Sequence, residues 1–342
     1  MGGQRFAFSN IKVLDIPISW TRLFVVQLLK FLLFHLQTSL STFQIMMYHS
    51  TMNKSKLSFA QLATLGLCAA GAVANPVPAD NSAPSLKHND FSCKSSSHPD
   101  PVILLHGLGA TYYEDINALE GYLQTKGFCT FSITYGAYDG FPLVGGLKPI
   151  AESSAQIAAF VNEVKEKTGA SKVNLVGHSE GAFQTLYTAK FGGVASSIDT
   201  ITAIAPPTHG TTFANLVKLG SLLVGGRDNL DAIIKKLGCG ACDDLVTDGG
   251  AVKKLNDGSP IAQPGNTVTI ITSRYDELVT PTSTSFVNED GVNNIYVQDY
   301  CQYDPVGHIG EAYDTNVWNL VLNSLEKQTG RKFVCLAGSP GR

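Results

Sequence analysis

From Pro101 onward the chain alternates short apolar runs with longer stretches in which apolar residues recur at helical spacing. Runs at 102–105, 130–133, 173–176, 198–205, 268–272 and 295–297 are short and nearly continuous, as strands buried on both faces are. Residues 150–168 instead place Ile157, Phe160, Val161 and Val164 on one face, which predicts a helix. Further helices are expected over 182–191 and 317–327. Strands separated by helices pair in parallel through crossovers, so a mostly parallel sheet with helices on both faces is expected. Between Pro207 and Gly265 no strand pattern is evident, and a stretch that long is normally a functional loop or an inserted cap. Within it Phe213, Leu216, Val217, Leu223 and Val224 fall at helical spacing, with Leu219 and Leu222 widening the apolar face. That face suits either a lid over a pocket or a helix packed on the core.

The amino-terminal part follows different rules. From Met52, Lys54 and Lys56 precede a short apolar stretch at 62–74, which ends in the small-residue site Ala72-Val73-Ala74. That is the three-part order of a secretory signal peptide, and its apolar centre is too short to span a bilayer. Residues 1–51 are expected to be an upstream extension. An anchor at 23–36 is the alternative, although Gln27, Lys30 and His35 interrupt its apolar run. Residues 75–98 carry little periodicity and read as an exposed leader to the main folded domain over 99–337, with the cap at about 208–265.

Composition narrows the class. Apolar residues make up 44% and charged residues 15%, enough for a large buried core. The net charge of −3, with no basic run in the second half, argues against a nucleic-acid partner. Cys68 would leave with the signal, and six cysteines remain: Cys93, Cys129, Cys239, Cys242, Cys301 and Cys335. In an exported chain six cysteines read as three disulfides, with 15 connectivities open on paper. Cys239-Gly-Ala-Cys242 lacks the second pair that a zinc ribbon needs, so no metal is expected.

The chemistry starts at Gly177-His178-Ser179-Glu180-Gly181, a G-x-S-x-G run placed between a strand and a helix. A strand-to-helix elbow that tight exposes the serine oxygen, and the glycines relieve the crowding around it. A serine hydroxyl needs a base, which in this arrangement follows an acid along the chain. After Ser179 the only histidines are His209 and His308. His308, in a glycine-bracketed loop after the last strand, is the expected base, and His209 is read as a pocket-wall residue. Asp276 follows the strand at 268–272 and is the expected acid, with Glu277 as the alternative carboxylate. Oxyanion donors are expected from the backbone N–H groups of Glu180 and of Leu108 in His106-Gly107-Leu108-Gly109.

The segments PVILLHGLG (101–109), KVNLVGHSEGA (172–182), IAPPTHGTT (204–212), CGAC (239–242), TSRYDELVTP (272–281) and GHIG (307–310) follow one another in a telling order. In that order the chain resembles the secreted lipases of actinobacteria and fungi over most of residues 95–335. The resemblance implies an α/β-hydrolase fold, no cofactor or catalytic metal, and a triad of Ser179, Asp276 and His308. It also implies esterase or triacylglycerol lipase activity. Glu180 is a departure, since such lipases often carry Gln there. The disulfides expected alongside are Cys93 with Cys129, Cys239 with Cys242, and Cys301 with Cys335. A lipid or ester substrate met at a lipid–water interface, and a monomeric chain, complete the expectation. Polyester or amide hydrolysis with the same triad, and a catalytically idle binding module, are the rival readings.

Overall fold

A computed structural model of the chain describes residues 87–212 and 238–338. The extension at 1–51, the signal peptide at 52–74, most of the leader and the apolar segment 213–224 lie outside the described residues. Six strands among those described form one parallel sheet: β1 (Val102–Leu105), β2 (Thr130–Ser132), β3 (Val173–His178), β4 (Ile198–Ile204), β5 (Thr267–Thr272) and β6 (Asn293–Tyr296). Their order is β2-β1-β3-β4-β5-β6, with β3 near the middle. Leu104 sits opposite Val176 and Val176 opposite Thr202, so the central strands run in step.

Alternation within each strand splits the core into two layers. Ile103, Leu105, Phe131, Leu175, Ala203 and Ile270 face one side of the sheet. There they meet α2 (Ile150–Thr168) and α3 (Glu180–Phe191), through Ile157, Val161, Phe183 and Leu186. Val102, Leu104, Val176, Ile204 and Ile271 face the other side. They pack on α1 (Asn117–Thr125) through Leu119 and Leu123, and on the C-terminal helix Thr315–Leu325 through Val317, Leu320 and Val321. Burying each such side chain contributes about 1.5–3 kcal/mol, which is why both strand faces are apolar. This is the α/β-hydrolase fold.

Several boundaries differ from the expectation, each for a local reason. Helix α1 is not evident in the sequence because Gly121 and polar residues dilute an apolar face of only Ile116, Leu119 and Leu123. Helix α3 begins at Glu180 rather than 182, because it starts directly after the elbow serine. The C-terminal helix begins at Thr315 rather than 317, since Asp314 caps it by accepting the N–H groups of Asn316 and Val317. After 238 two short helices, α4 (Gly240–Leu245) and α5 (Gly250–Leu255), pack on the α2–α3 face. Thr211 and Val246 pair as an isolated bridge, which ties the two described stretches together. The C-terminal helix is α6. Residues 87–98 are tied down more firmly than a leader without periodicity suggests. Asn89 exchanges hydrogen bonds with the backbone of Ser132, and Phe91 packs on Phe131.

Candidate active site

Strand β3 delivers Ser179 at the carboxyl end of the sheet, and α3 carries the chain away. The turn forces φ 56° on Ser179, a left-handed conformation that an L-residue adopts only under constraint. The two flanking glycines are required by space. A Cβ on Gly177 would lie 2.3 Å from the backbone of Gly181, and one on Gly181 would lie 2.2 Å from the Leu105 carbonyl oxygen. The elbow is thus pressed against the end of β1, which sets the loop after β1 beside the serine. A Cβ on Gly107 would meet Ser179 Cβ at 3.2 Å.

The Ser179 hydroxyl donates to His308 Nε2 at 2.9 Å. His308 Nδ1 donates to Asp276 Oδ2 at 2.8 Å, and all three residues are buried. Asp276 stands after β5, where its other oxygen accepts the N–H groups of Leu278 and Val279 at 2.8 and 2.9 Å. Burial pushes its carboxyl up, but the His308 ring and those two amides outweigh burial and hold it below the ordinary aspartate value. Asp276 is therefore ionised and orients the imidazole. Glu277 is placed otherwise: its Oε2 accepts the backbone N–H of His308 at 3.2 Å, so it holds the loop rather than the ring.

In the loop after β1, the Gly107 N–H donates to Asp115 Oδ2 at 2.7 Å and the Gly109 N–H to the Gly145 carbonyl at 2.9 Å. The Leu108 N–H between them bonds to none of the described residues. His106 is buried and stacked on Tyr135, with ring centroids 4.3 Å apart. Its Nε2 accepts the Tyr135 N–H, so its proton is on Nδ1, which faces the Gly107 carbonyl. Burial takes its pKa down to about 4, so it is a neutral prop for the loop.

Two more carboxyls lie buried here. Burial, assisted by the charge of Asp244, pushes Glu180 well above the ordinary value. Burial, assisted by Asp276, does the same to Glu311, whose Oε2 is 4.0 Å from His308 Nδ1. In both, burial favours the uncharged form of the carboxyl. His178, His308 and Glu311 place ligand-type atoms within 4.8 Å of one another. All four ring nitrogens are already engaged, to Asp115, the His308 carbonyl, Asp276 and Ser179, so the cluster has no imidazole lone pair for a metal.

His209 is exposed, its Nε2 on the Phe286 carbonyl at 3.0 Å, and it takes no part in the triad. Disulfides join Cys93 to Cys129, Cys239 to Cys242 and Cys301 to Cys335. Three site residues went unnoticed in the sequence. Glu311 was detectable in principle, because a residue three after a histidine on a helical turn shares its face. His178 was visible only as a variable position of the elbow motif. Asp115 carries no local signal at all, since its partners lie 8 and 63 residues away.

Comparison with known proteins points the same way. The family described as Lipase (class 2) matches residues 99–319. The chain is 32% identical over 123 residues to a triacylglycerol lipase of Pseudarthrobacter phenanthrenivorans, covering 34% of this chain and 36% of that protein. It is likewise 32% identical over 123 residues to a triacylglycerol lipase of Burkholderia plantarii, covering 34% and 32%. These matches span about a third of the length of each relative. Among solved structures, Aspergillus fumigatus lipase B superposes with a TM-score of 0.52 at 19% identity, covering 70% of this chain and 54% of that one. Among the described residues no helix is long and apolar enough to cross a membrane.

Proposed function

The chain belongs to the class 2 lipase family, and from that premise we propose that it hydrolyses carboxylic esters, acylglycerols foremost, through an acyl-enzyme on Ser179. The observation that carries the proposal is the unbroken hydrogen-bonded line from Ser179 through His308 to Asp276. In this reading the serine oxygen attacks the ester carbonyl while its proton passes to His308 Nε2. Asp276 stabilises the imidazolium that forms. The tetrahedral oxyanion takes the N–H groups of Leu108 and Glu180. His308 returns the proton to the departing alcohol, and water repeats the sequence to release the acid. Glu180 is compatible with this role because the donor is its backbone N–H, and burial pushes its carboxyl towards the uncharged form.

Two features favour a greasy substrate. Tyr113, Leu143, Tyr275 and Tyr303, in the segments that follow β1, β2, β5 and β6, are exposed. The named relatives are triacylglycerol lipases. Export is part of the proposal, supported by the signal-like segment at 52–74 and by the three disulfides. A hydrolysis series from short to long acyl esters, with an alkylphosphonate as probe, tests the reading. Hydrolysis should be abolished as the phosphonate labels Ser179 alone. Labelling at another serine, or turnover that survives Ser179→Ala, defeats it.

A further inference from the structure

His178 and Asp115 form a second histidine–aspartate pair, buried beside the triad and unused by it. His178 Nδ1 is 2.9 and 3.1 Å from the two oxygens of Asp115. On the other side of the ring, Nε2 is 2.9 Å from the backbone oxygen of His308. A carbonyl oxygen only accepts, so Nε2 carries a hydrogen. Asp115 meanwhile accepts the Gly107 N–H, which favours its ionised form and requires a donor at Nδ1 as well. The ring therefore holds both protons.

We infer that His178 is a buried imidazolium, and that with Asp115 it is the positioning unit that sets the spacing of the three catalytic loops. The inference rests on the ester-hydrolase reading for its catalytic consequence. Its physical basis is connectivity. The couple joins the loop after β1 (Gly107, beside Leu108), the elbow (His178, beside Ser179) and the loop after β6 (the His308 carbonyl). No other described side chains bond to all three. A chain of charge-assisted hydrogen bonds among buried groups is stiff, and an error of about 1 Å in such a site costs roughly 100-fold in rate. The groups facing the ring are consistent with the charge. Asp115 and Asp276 are held below the ordinary aspartate value and are anionic, burial pushes the Glu311 carboxyl within reach towards its uncharged form, and His106 is neutral. Burial opposes the charge on His178, but Asp115 and the His308 carbonyl overcome it, so its pKa rises. The imidazolium then persists upward from the ordinary histidine range.

The test uses the full secreted chain with ¹⁵N-labelled histidine, assigning the His178 ring as the signal missing in His178→Gln. At pH 8 the ring should show two N–H protons in the wild type. In Asp115→Asn it should show one, because a neutral ring with the proton on Nε2 can accept the amide. Kinetics on a soluble ester should show kcat for Asp115→Ala down by roughly 100-fold with KM nearly constant. Asp115→Asn, which can keep every hydrogen bond, should recover most of that loss. Phosphonate labelling of Ser179 should slow in parallel. A neutral wild-type ring at pH 8 overturns the imidazolium. Wild-type-like kcat in a folded Asp115→Ala enzyme, or an Asn variant as impaired as Ala, overturns the positioning role. A wild-type chain inactive on every ester defeats the functional reading instead, and the ring signal still decides the protonation state.

Discussion

Asp276 and Glu277 show how one residue of offset decides a role. The shorter chain reaches His308 Nδ1 and the longer one reaches only the backbone N–H of the same histidine. Asp276→Asn should therefore lower kcat by about 10⁴-fold, the scale seen when a triad imidazole is left in the wrong tautomer. Glu277→Gln keeps an acceptor for the His308 N–H and should cost about 1 kcal/mol or less. Parallel kcat measurements check this, and a reversed order would exchange the two roles. In the sequence, the expected order Ser, acid, His allowed His308 to be chosen by elimination, because only two histidines follow Ser179. The sequence could not show which carboxyls are pushed towards their uncharged form, since that depends on burial contributed by distant segments. Glu180 and Glu311 illustrate the point. Each has a folded pKa raised above its unfolded value, so the unfolded chain releases that proton first as pH rises. Each therefore costs stability from the ordinary carboxylate range up to its folded pKa, with a slope of at most about 1.4 kcal/mol per pH unit. Melting curves of Glu180→Gln against wild type should diverge as pH rises from 4 to 8, the variant gaining. Parallel curves would mean that Glu180 ionises normally in the fold.

Among elements, the strands were legible because their two-sided burial leaves continuous apolar runs, as at Val102–Leu105. Helix α1 was not, since its apolar face is three residues wide and Gly121 weakens it. The elbow lies between these cases. Its strand, glycines and helix could be read directly, whereas its contact with β1 is a tertiary fact. That contact makes Gly177 a sensitive position. A methyl there would meet Gly181 backbone atoms at 2.3 Å, and backbone cannot swing away as a side chain can. Gly177→Ala should cost about 1–3 kcal/mol in a urea titration. It should also lower kcat more than a stability loss of that size explains, because Ser179 must shift with the turn. Unchanged kcat in the folded variant would show that the elbow tolerates the displacement.

Across the whole molecule, two disulfides close loops of nearly equal length at opposite ends of the sheet. Cys93–Cys129 has a separation of 36 and joins residue 129, just before β2, to the leader. Cys301–Cys335 has a separation of 34 and lies beyond β6, on the side where the triad assembles. From there the bracing continues through hydrogen bonds. Asn316 holds both Leu336, beside Cys335, and Asp304, while Val306 accepts from Ser273, three residues before Asp276. Restricting the unfolded chain depends on loop length alone, so each bridge should contribute at most about 4 kcal/mol. Function should separate them. Replacing Cys93 and Cys129 with Ala should lower the melting temperature and leave kcat near that of the wild type. The same change at Cys301 and Cys335 should lower the melting temperature by a similar amount and reduce kcat as well, because the loop carrying His308 is freed at one end. Both variants must be assayed well below their melting temperatures, with free-thiol titration confirming the remaining bridges. A kcat that falls only when Cys93–Cys129 is removed would place the mechanical support of the triad at the wrong end of the sheet.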